Sequence, residues 1–337
     1  MKFLINIIYL LYSKLIILEI IIRSNIFSNT RLLYSGWDGG FGFGDHVTFC
    51  VNIKSKLNKN SKLFCYSNQQ FETAKFFYEK KYLIKSIFSI PKFLNTSIIG
   101  LYFLGKHKNF KPQKLMSPHN KKLKITLYYG TNEQIKYIKT RLNKFEVSAK
   151  LKKVLEDKTI VLFIKNFSHI KTMNKNINFQ VRQTRNLDKI FRLLNFLKKK
   201  FKIVILGNRD DNFIKIIGDK KLIDNKKIFL FDDLSENYSI ADQVYLAENV
   251  SGYVGNGSGA MVFFDILKKK VLLIDFMYME NLKFWKKNRN YLFKKALNKE
   301  TNKAEIFNYY KRYDANKYKI IENNFEEIIK SIKKIKL

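Results

Sequence analysis

The segment at residues 253–275 constrains the fold of this chain more than any other part of the sequence. It runs in the order short apolar strand, glycine-rich turn, helical pattern and second apolar strand. Gly255, Gly257 and Gly259 can adopt backbone angles that other residues avoid, and they leave space for a ligand. A helix that begins near Ser258 would direct free N–H groups at the turn, a common way to bind phosphate. The pattern predicts a phosphate-binding βαβ unit, with a tight turn that holds no ligand as the alternative.

Length and composition indicate two ordinary folded domains. The chain has 337 residues, of which 46% are hydrophobic, enough for two cores. Its formal charge of +36, from 64 Lys and Arg against 28 Asp and Glu, is spread along the whole sequence. This spread favours a basic, solvated surface, with attraction to anionic lipid or a polyanionic substrate as the alternative. Nucleic acid is not an expected partner, because zinc-finger, helix-turn-helix and RNA-recognition signatures are missing from the sequence.

The first 23 residues are apolar, but Asn6, Lys14 and Glu19 interrupt them. No uninterrupted run reaches the roughly 20 residues that a membrane-spanning helix needs. No small-residue cleavage site follows, which argues against a removed signal peptide. We predict an apolar helix over residues 1–25 and keep three interpretations open: a helix lying in the membrane plane, a signal anchor, or a buried helix that caps the first domain.

Both halves of the chain repeat the same order of elements. A strand at 31–35 leads into the glycine-rich turn 36–46, and a helix at 47–56 and a strand at 63–67 follow. Further strands are predicted at 124–129, 159–165, 202–206 and 227–231, and further helices at 132–155, 187–199 and 238–249. Strands that alternate with helices of about 10 to 15 residues predict parallel sheets.

The predicted fold class is α/β, with two Rossmann-like doubly wound domains that face a central cleft. In such domains ligands bind at the carboxyl ends of the strands. The predicted limits are 1–25 for the N-terminal helix, 26–157 for the first domain and 158–337 for the second.

The first glycine-rich turn does not fit a dinucleotide-binding motif. Gly40, Gly42 and Gly44 have the spacing G-x-G-x-G, and the next strand ends at Ser67 without a carboxylate for a ribose diol. The sequence also lacks P-loop and nucleophile-elbow motifs and any His, Cys and Asp cluster with metal-ligand spacing. Its two cysteines are isolated, which fits a reducing compartment. We therefore predict no cofactor and no metal.

Taken together, the two turns resemble those of GT-B glycosyltransferases, in particular the heptosyltransferase-like bacterial glycosyltransferases. The resemblance covers about residues 155–276 and extends to the first turn, but not to 80–150 or 277–337. Its pieces in the second half are the strand 160–165, the sequence Arg185-Asn186-Leu187-Asp188, the strand 203–207 and the turn 255–259.

The chain departs from this group at two places. Lys165 and Asn166 follow the first strand of the second domain, where the group tends to carry an arginine and an acid. Asn256 and Gly257 precede Ser258, where an acid is common in the group. Both departures bear on which donor sugar the chain would bind.

The resemblance implies that the second domain binds a nucleotide-diphosphate sugar and the first binds the acceptor. The amides of the second turn and the Ser258 hydroxyl suit a diphosphate, and the planar fork of Arg182 or Arg209 would neutralise it. Each arginine has a surface charge as its alternative interpretation. The expected donor-site residues are Arg182, Arg185, Asn186, Gly207, Arg209, Asn256, Gly257, Ser258 and Gly259, and those on the acceptor side are Gly42 and Gly44.

Transfer to an acceptor hydroxyl requires a general base. Asp45 and His46 stand at the turn into the first helix and are the predicted catalytic residues, with a helix N-cap and a packed helical residue as their respective alternatives. Asp188 is interpreted as a first-turn acid of its helix rather than a catalyst. Because no D-x-D element stands in a suitable loop, we predict transfer without a metal.

The predicted function is transfer of a sugar from a nucleotide-diphosphate sugar to a hydroxyl of a cell-surface glycan or glycolipid precursor. The expected location is the cytoplasm, with peripheral contact to the anionic inner face of the cytoplasmic membrane. Two alternatives stay open: a sugar-nucleotide epimerase of the same fold, and a non-catalytic basic protein that binds anionic lipid or nucleic acid.

Overall fold

The chain divides into two compact units, Met1–Arg141 and Leu142–Leu337. Each unit contains parallel strands joined by helices, so the predicted α/β class with parallel sheets is confirmed. The central cleft and the domain limits after residues 25 and 157 stay predictions. The computed structural model describes residues 2–26, 31–34, 43–53, 61–90, 130–166, 183–207, 212–223, 226–277, 289–308, 311, 313–314 and 316–337.

The first unit has a three-stranded parallel sheet among its described residues. Its elements are α1 (Lys2–Ile26), β1 (Arg31–Tyr34), α2 (Phe43–Ile53), β2 (Ser61–Ser67), α3 (Asn68–Phe77), β3 (Leu83–Ile90) and α4 (Asn132–Leu142). The strand order is β1-β2-β3. Helix α3 follows β2 directly because the Ser67 hydroxyl accepts a hydrogen bond from the Gln70 N–H at 3.2 Å. The strand expected at 124–129 lies outside the described residues.

Helix α1 packs along β3, which is the edge strand of the described sheet. Ile16 and Ile20 are buried, and the Glu19 carboxylate accepts hydrogen bonds from the Ser86 hydroxyl at 2.5 Å and the Ile87 N–H at 3.0 Å. The polar interruption at Glu19 therefore attaches the helix to the first unit. Within the described part of the chain, no helix combines the length and the apolar content that crossing a membrane requires.

In the described part of the second unit, six parallel strands form a sheet in the order β6-β5-β4-β7-β8-β9, and three short antiparallel strands form a separate sheet in the order β11-β10-β12. The strands are β4 (Thr159–Phe163), β5 (Lys202–Leu206), β6 (Ile228–Leu230), β7 (Gly252–Gly255), β8 (Lys270–Phe276), β9 (Arg289–Phe293), β10 (Lys295–Asn298), β11 (Ala304–Ile306) and β12 (Tyr318–Ile321). The helices are α5 (Ala149–Leu155), α6 (Asp188–Leu197), α7 (Asn212–Asp219), α8 (Phe231–Leu234), α9 (Ile240–Asn249), α10 (Val262–Ile266) and α11 (Phe325–Lys334).

The order of the six parallel strands creates a switch point between β4 and β7. From β4 the chain proceeds to β5 and β6 on one side, and it then returns to β7, β8 and β9 on the other. Counted from β4, this is the order 3-2-1-4-5-6 of dinucleotide-binding domains. All residues of β4 and β7 are buried, as expected for strands that helices cover on both faces.

Residues 277–337, to which the sequence analysis assigned no structure, complete the second unit. Strand β9 extends the parallel sheet beside β8, and α11 packs against α6, β8 and β9. Helix α11 begins with a capping box, in which Asn324 and Glu327 each bond the other's backbone N–H, at 2.8 Å and 3.0 Å. Its apolar face buries Ile328 and Ile332 in the core.

The helix after the second glycine-rich turn is shorter than the sequence pattern predicts. It was expected to begin near Ser258, but a 3-10 turn occupies Gly259–Met261 and α10 spans five residues, Val262–Ile266. It ends early because Lys268 adopts a positive φ of 55° and the Lys269 N–H bonds back to the Phe264 carbonyl at 2.8 Å. The dipole of so short a helix contributes little to anion binding.

Candidate functional site

The candidate site lies at the carboxyl ends of β4 and β7, on the two sides of the switch point. Strand β4 leads into Lys165 and Asn166, and β7 leads into the turn at residues 256–258. The strands pair in parallel, with Phe163 beside Gly255. Both segments therefore end at the same edge of the sheet, where doubly wound domains bind their ligands.

Gly255 allows the close approach of these two strands. Its φ is 153°, and a Cβ atom added to it would lie 2.8 Å from the carbonyl carbon and 2.9 Å from the nitrogen of Phe163. The Asn256 N–H donates to the Phe163 carbonyl at 2.9 Å, which continues the pairing beyond the strand. A side chain at position 255 would therefore separate β4 from β7.

Gly257 is required by space rather than by its backbone angles, which corrects the reason that the sequence suggested. Its φ is not positive, but an added Cβ atom would lie 2.8 Å from the ring of Phe276. Tyr291 and Phe293 pack on that ring, with centroids 5.5 Å and 6.1 Å away. Gly259 is exposed and begins the 3-10 turn, so its backbone is also not left-handed.

Asn256 joins three segments of the second unit through its buried side chain, which is 2% exposed. Its Oδ1 accepts from the Lys165 N–H at 2.6 Å. Its Nδ2 donates to the Thr184 hydroxyl and to the Ile274 carbonyl, each at 3.1 Å. Asn256 was predicted to bind the donor. These contacts show that its side chain is used inside the protein, where it holds the turn at residues 256–258 in place.

Lys165 brings a positive charge to the turn. Its Nζ donates to the Gly257 carbonyl at 2.8 Å, and its side chain is half-buried. The neighbouring Asn166 donates to the Thr184 carbonyl at 3.1 Å and accepts from Asn212, the first residue of α7, at 2.9 Å. Lysine is a common phosphate ligand. Lys165 was not among the predicted donor-site residues, although its place directly after a continuous apolar strand was a signal in the sequence.

A buried ion pair lies beneath Asn256 and Thr184. Lys189 of α6 donates to both carboxylate oxygens of Asp275 at 2.9 Å and 2.8 Å, and the two side chains are 4% and 0% exposed. The Thr184 hydroxyl donates to the same carboxylate at 2.7 Å. Asp275 has a positive φ of 51°, an uncommon conformation for aspartate that these contacts stabilise.

Glu322 extends this network to the loop before α6. Its carboxylate accepts from the backbone N–H groups of Arg185 at 2.7 Å and Asn186 at 3.1 Å, and it pairs with Lys189 at 3.0 Å and Lys294 at 3.4 Å. Burial alone would raise the pKa of Glu322, but the Lys294 ammonium, the Arg185 amide and Lys189 outweigh it and lower that pKa. The loop is thus anchored by an ionised carboxylate.

Arg185 and Asn186, which were predicted to bind the donor, lie in the loop that Glu322 anchors. Both residues are exposed. The Asn186 side chain accepts from the Asp188 N–H at 3.1 Å, so it supports the start of α6. Asp188 is the first residue of α6, as the first-turn interpretation predicted. Arg182 and Arg209, the other two arginines predicted to bind the donor, lie outside the described residues.

Gly207 ends β5 one strand away from the switch point. Its φ is 143°, and its carbonyl accepts from the Tyr238 hydroxyl, while its N–H donates to the same hydroxyl oxygen at 3.3 Å. The structure places this residue at the same carboxyl edge as the turn at 256–258, because β4, β5 and β7 are parallel neighbours.

The predicted catalytic residues belong to α2 in the first unit. Helix α2 begins at Phe43, so Asp45 is inside its first turn and is not its N-cap, but the Asp45 side chain lies outside the described part of the chain. Gly44 is helical, and its carbonyl accepts from the Thr48 hydroxyl at 2.7 Å. Gly42 lies outside the described residues.

His46 is packed in the core of the first unit. It is 2% exposed, and its Nε2 bonds to the Gln70 carbonyl at 2.9 Å, so that nitrogen carries the proton. Burial lowers the pKa of His46 to about 4, although the bond to Gln70 opposes the shift. The geometry favours the packed helical residue that the sequence analysis kept as the alternative.

Among the residues that the structure describes, no group of three or more His, Cys, Asp or Glu side chains is placed to hold a metal ion. Cys50 and Cys65 are both reduced and buried. Burial raises the pKa of both thiols above their usual value, so neither is an activated nucleophile.

Comparison with known proteins adds fold neighbours but no family. No protein-family model matches the chain, and no curated protein matches it in sequence. Its structure is similar to E. coli ADP-heptose LPS heptosyltransferase II, with a TM-score of 0.40, 10% identity, and coverage of 78% of this chain and 90% of that one.

Two further solved structures are similar. A glycosyl transferase of family 9 from Veillonella parvula has a TM-score of 0.43 and 10% identity, over 78% of this chain and 85% of that one. E. coli heptosyltransferase WaaC, solved with ADP-2-deoxy-2-fluoro heptose, has a TM-score of 0.36 and 9% identity, over 78% of this chain and 93% of that one. These three solved structures are two heptosyltransferases and a family 9 glycosyltransferase.

Proposed function

We propose that the chain is a glycosyltransferase that moves a sugar from a nucleotide-diphosphate sugar to a hydroxyl of a cell-surface glycan or glycolipid precursor, without a metal. The proposed donor domain is 158–337 and the acceptor domain is 26–157. The observation that carries the proposal is the convergence of Lys165 and the turn at 256–258 on the switch point of a sheet with the order 3-2-1-4-5-6.

The diphosphate of the donor would bind over the turn. The backbone N–H groups of Gly257 and Gly259 and the Ser258 hydroxyl are donors suited to phosphate oxygens, and Gly257 and Gly259 add no side chain that would occupy the space. Because α10 has only five residues, the positive charge at the turn comes from the Lys165 ammonium rather than from a helix dipole. Arg182 and Arg209 are proposed to add further positive charge.

Deprotonation of the acceptor hydroxyl is proposed for Asp45. A general base must reach the proton that it removes, and His46 is buried with its Nε2 committed to Gln70. Asp45 lies in the first turn of α2, and a carboxylate is a side chain that can serve as a general base. Asp45→Asn is expected to leave nucleotide affinity unchanged and to lower turnover by roughly 10².

Calorimetric titration of nucleoside diphosphates into the purified chain tests the donor site. Gly257→Val would displace the Phe276 ring and fill the turn, so binding is expected to be lost. Gly218→Val is the matched control, because an added Cβ at Gly218 meets nothing within 4 Å. Equal affinity of both variants for the nucleotide, with both folded by circular dichroism, would remove the donor site from this turn.

Incubation with a panel of nucleotide sugars separates the proposed activity from its two alternatives. Release of free nucleotide that depends on an added acceptor supports the transferase. Conversion of the nucleotide sugar without an acceptor supports an epimerase. Absence of both reactions together with salt-sensitive binding to polyanions supports a non-catalytic basic protein.

A further inference from the structure

Helix α1 carries an apolar face that points away from the protein. Among the side chains of this helix that the structure describes, six large aliphatic ones are between 36% and 53% exposed: Ile7, Leu10, Leu11, Leu15, Leu18 and Ile22. Their spacings of three, four and seven residues place them on one side of the helix. We call these six residues the outer face of α1.

The opposite side of α1 is fixed to the first unit. Ile16 and Ile20 are buried there, and the Glu19 side chain is 4% exposed. Glu19 pairs with Arg23 at 2.7 Å and accepts from the Ser86 hydroxyl at 2.5 Å. The one acid of the helix is therefore used internally, and its charge does not reach the outer face.

Glu19 also explains why α1 stays in place along β3. The pairing of β2 with β3 is irregular between Cys65 and Ser67, and the Ile87 N–H, within the irregular stretch of β3, donates to the Glu19 carboxylate. Moving the helix away would leave that amide and a buried carboxylate without these partners, which is costly. The Ile87 side chain itself is 75% exposed, so only its backbone N–H is used to hold the helix.

The net charge of the protein indicates which kind of partner binds to the outer face. Lys14 is exposed within the helix, and Lys85 is exposed on β3. A second copy of the chain would bring two molecules of charge +36 together, and such like charges repel each other. An anionic phospholipid surface has the opposite charge and also accepts aliphatic side chains.

We propose that the outer face of α1 docks the protein, in the plane of the bilayer, on an anionic phospholipid membrane. The aliphatic side chains enter the boundary between headgroups and acyl chains, and Lys14 extends its ammonium to the phosphates. At 25 residues the helix is about 37 Å long and lies flat, held from the protein side by Glu19. This docking needs no nucleotide, so it stands apart from the transferase proposal.

Co-sedimentation with vesicles tests the docking. The full chain is mixed with vesicles of phosphatidylcholine alone or with vesicles that also contain about 30% phosphatidylglycerol, which gives their surface a negative potential. Leu11→Glu with Leu18→Glu changes two outer-face residues that are 53% and 51% exposed. The matched control is Phe145→Glu with Ile306→Glu, two large apolar residues elsewhere that are 37% and 51% exposed.

Both double variants lower the net charge equally, so their difference isolates the outer face. The expected result is binding to the anionic vesicles that falls at least tenfold in the Leu11/Leu18 variant and less than twofold in the control. Weak binding of the unchanged chain to anionic vesicles, or equal binding of both variants, would overturn the proposal. So would a dimer in sedimentation velocity that only the Leu11/Leu18 variant loses, because a second copy would then be the occupant.

Discussion

The two glycine-rich segments of this chain look alike in sequence, yet the polar side chains close to them make different kinds of contact. At the second turn Asn256 ties three segments together and Lys165 places its ammonium on the Gly257 carbonyl. At the start of α2, in the first unit, His46 is buried and bonds to the Gln70 carbonyl. The difference teaches that a polar side chain close to a glycine motif can be used in packing, as His46 is, or can bring a positive charge to a turn, as Lys165 does.

The two regions also differ in how their buried polar groups are compensated. Beneath the second turn, Lys189, Asp275, Glu322 and Lys294 form a network of two cations and two carboxylates. Around α2 the buried His46 is kept neutral by desolvation. A charged network holds loops by strong hydrogen bonds, whereas a neutral histidine adds one ordinary bond to an apolar core.

The largest effect is expected where the charged network is broken. Lys189→Met leaves the buried Asp275 and the partly exposed Glu322 without their shared cation, so the free energy of unfolding is expected to fall by about 3 to 5 kcal/mol. Arg192→Met, also on α6, removes an exposed ion pair with Glu326 and is expected to cost below about 1 kcal/mol. Urea unfolding of both variants measures the difference, and similar losses would mean that the network is not the stabilising feature.

The first unit is expected to show the pH dependence of a neutral buried histidine. Burial lowers the pKa of His46 in the folded chain to about 4, below the usual histidine value of 6.5. Below pH 6.5 the unfolded chain binds a proton that the folded chain does not, so stability falls as the pH drops from about 6.5 to 4, by up to about 3 kcal/mol.

His46→Gln keeps a donor for the Gln70 carbonyl and removes the titration. The stability of wild type relative to the variant is therefore expected to fall from pH 7.5 to pH 6 and again to pH 5, in addition to the difference that the substitution itself causes at every pH. A constant difference at all three pH values would contradict a neutral buried histidine. Turnover is expected to change only a few-fold, and its loss would return His46 to the catalytic candidates.

These two regions also show what the sequence could predict. Strands such as β4, β5 and β7 are continuous apolar runs, so their existence and parallel pairing followed from pattern. The early end of α10 did not, because it depends on Lys268 adopting a left-handed angle that lysine has no preference for. Likewise, the strands beyond residue 277 are short, with three to five residues in each, so a period is hard to recognise in their sequences.

The network beneath the turn could not be predicted from the sequence for a different reason. Thr184, Asp275 and Glu322 are far apart in sequence, and only the crossover order of the sheet brings them together. Two signals were present: Lys189 interrupts the apolar face of an amphipathic helix, and Asp275 interrupts an apolar strand. A lysine and an acid at positions that predict burial indicate a pair, because buried charges need partners.

A substitution at Lys165 tests whether the positive charge at the second turn attracts the nucleotide. Lys165→Met is expected to lower nucleoside diphosphate affinity by about 1.5 to 3 kcal/mol, the range for a hydrogen bond to a charged group. Lys199→Met, at an exposed lysine beyond the end of α6, is the control and is expected to have no effect. Calorimetry decides between them, and equal affinities would show that general surface charge, not Lys165, attracts the nucleotide.

The smallest effect is expected at Ser258. Ser258→Ala removes one hydroxyl from the turn and leaves the backbone amides in place, so nucleotide affinity is expected to fall by about 0.5 to 1.5 kcal/mol. The same titration measures it. A loss as large as that of Lys165→Met would mean that the side chains of the turn, rather than its amides, make the principal contacts.

A crystal structure with a bound nucleoside diphosphate tests the central claim most directly. The account predicts that the diphosphate lies at the switch point between β4 and β7, with its oxygens within hydrogen-bond distance of the Gly257 and Gly259 amides and of the Lys165 ammonium. A diphosphate bound at α2 in the first unit, or one at the second unit that contacts neither the turn nor Lys165, would contradict it.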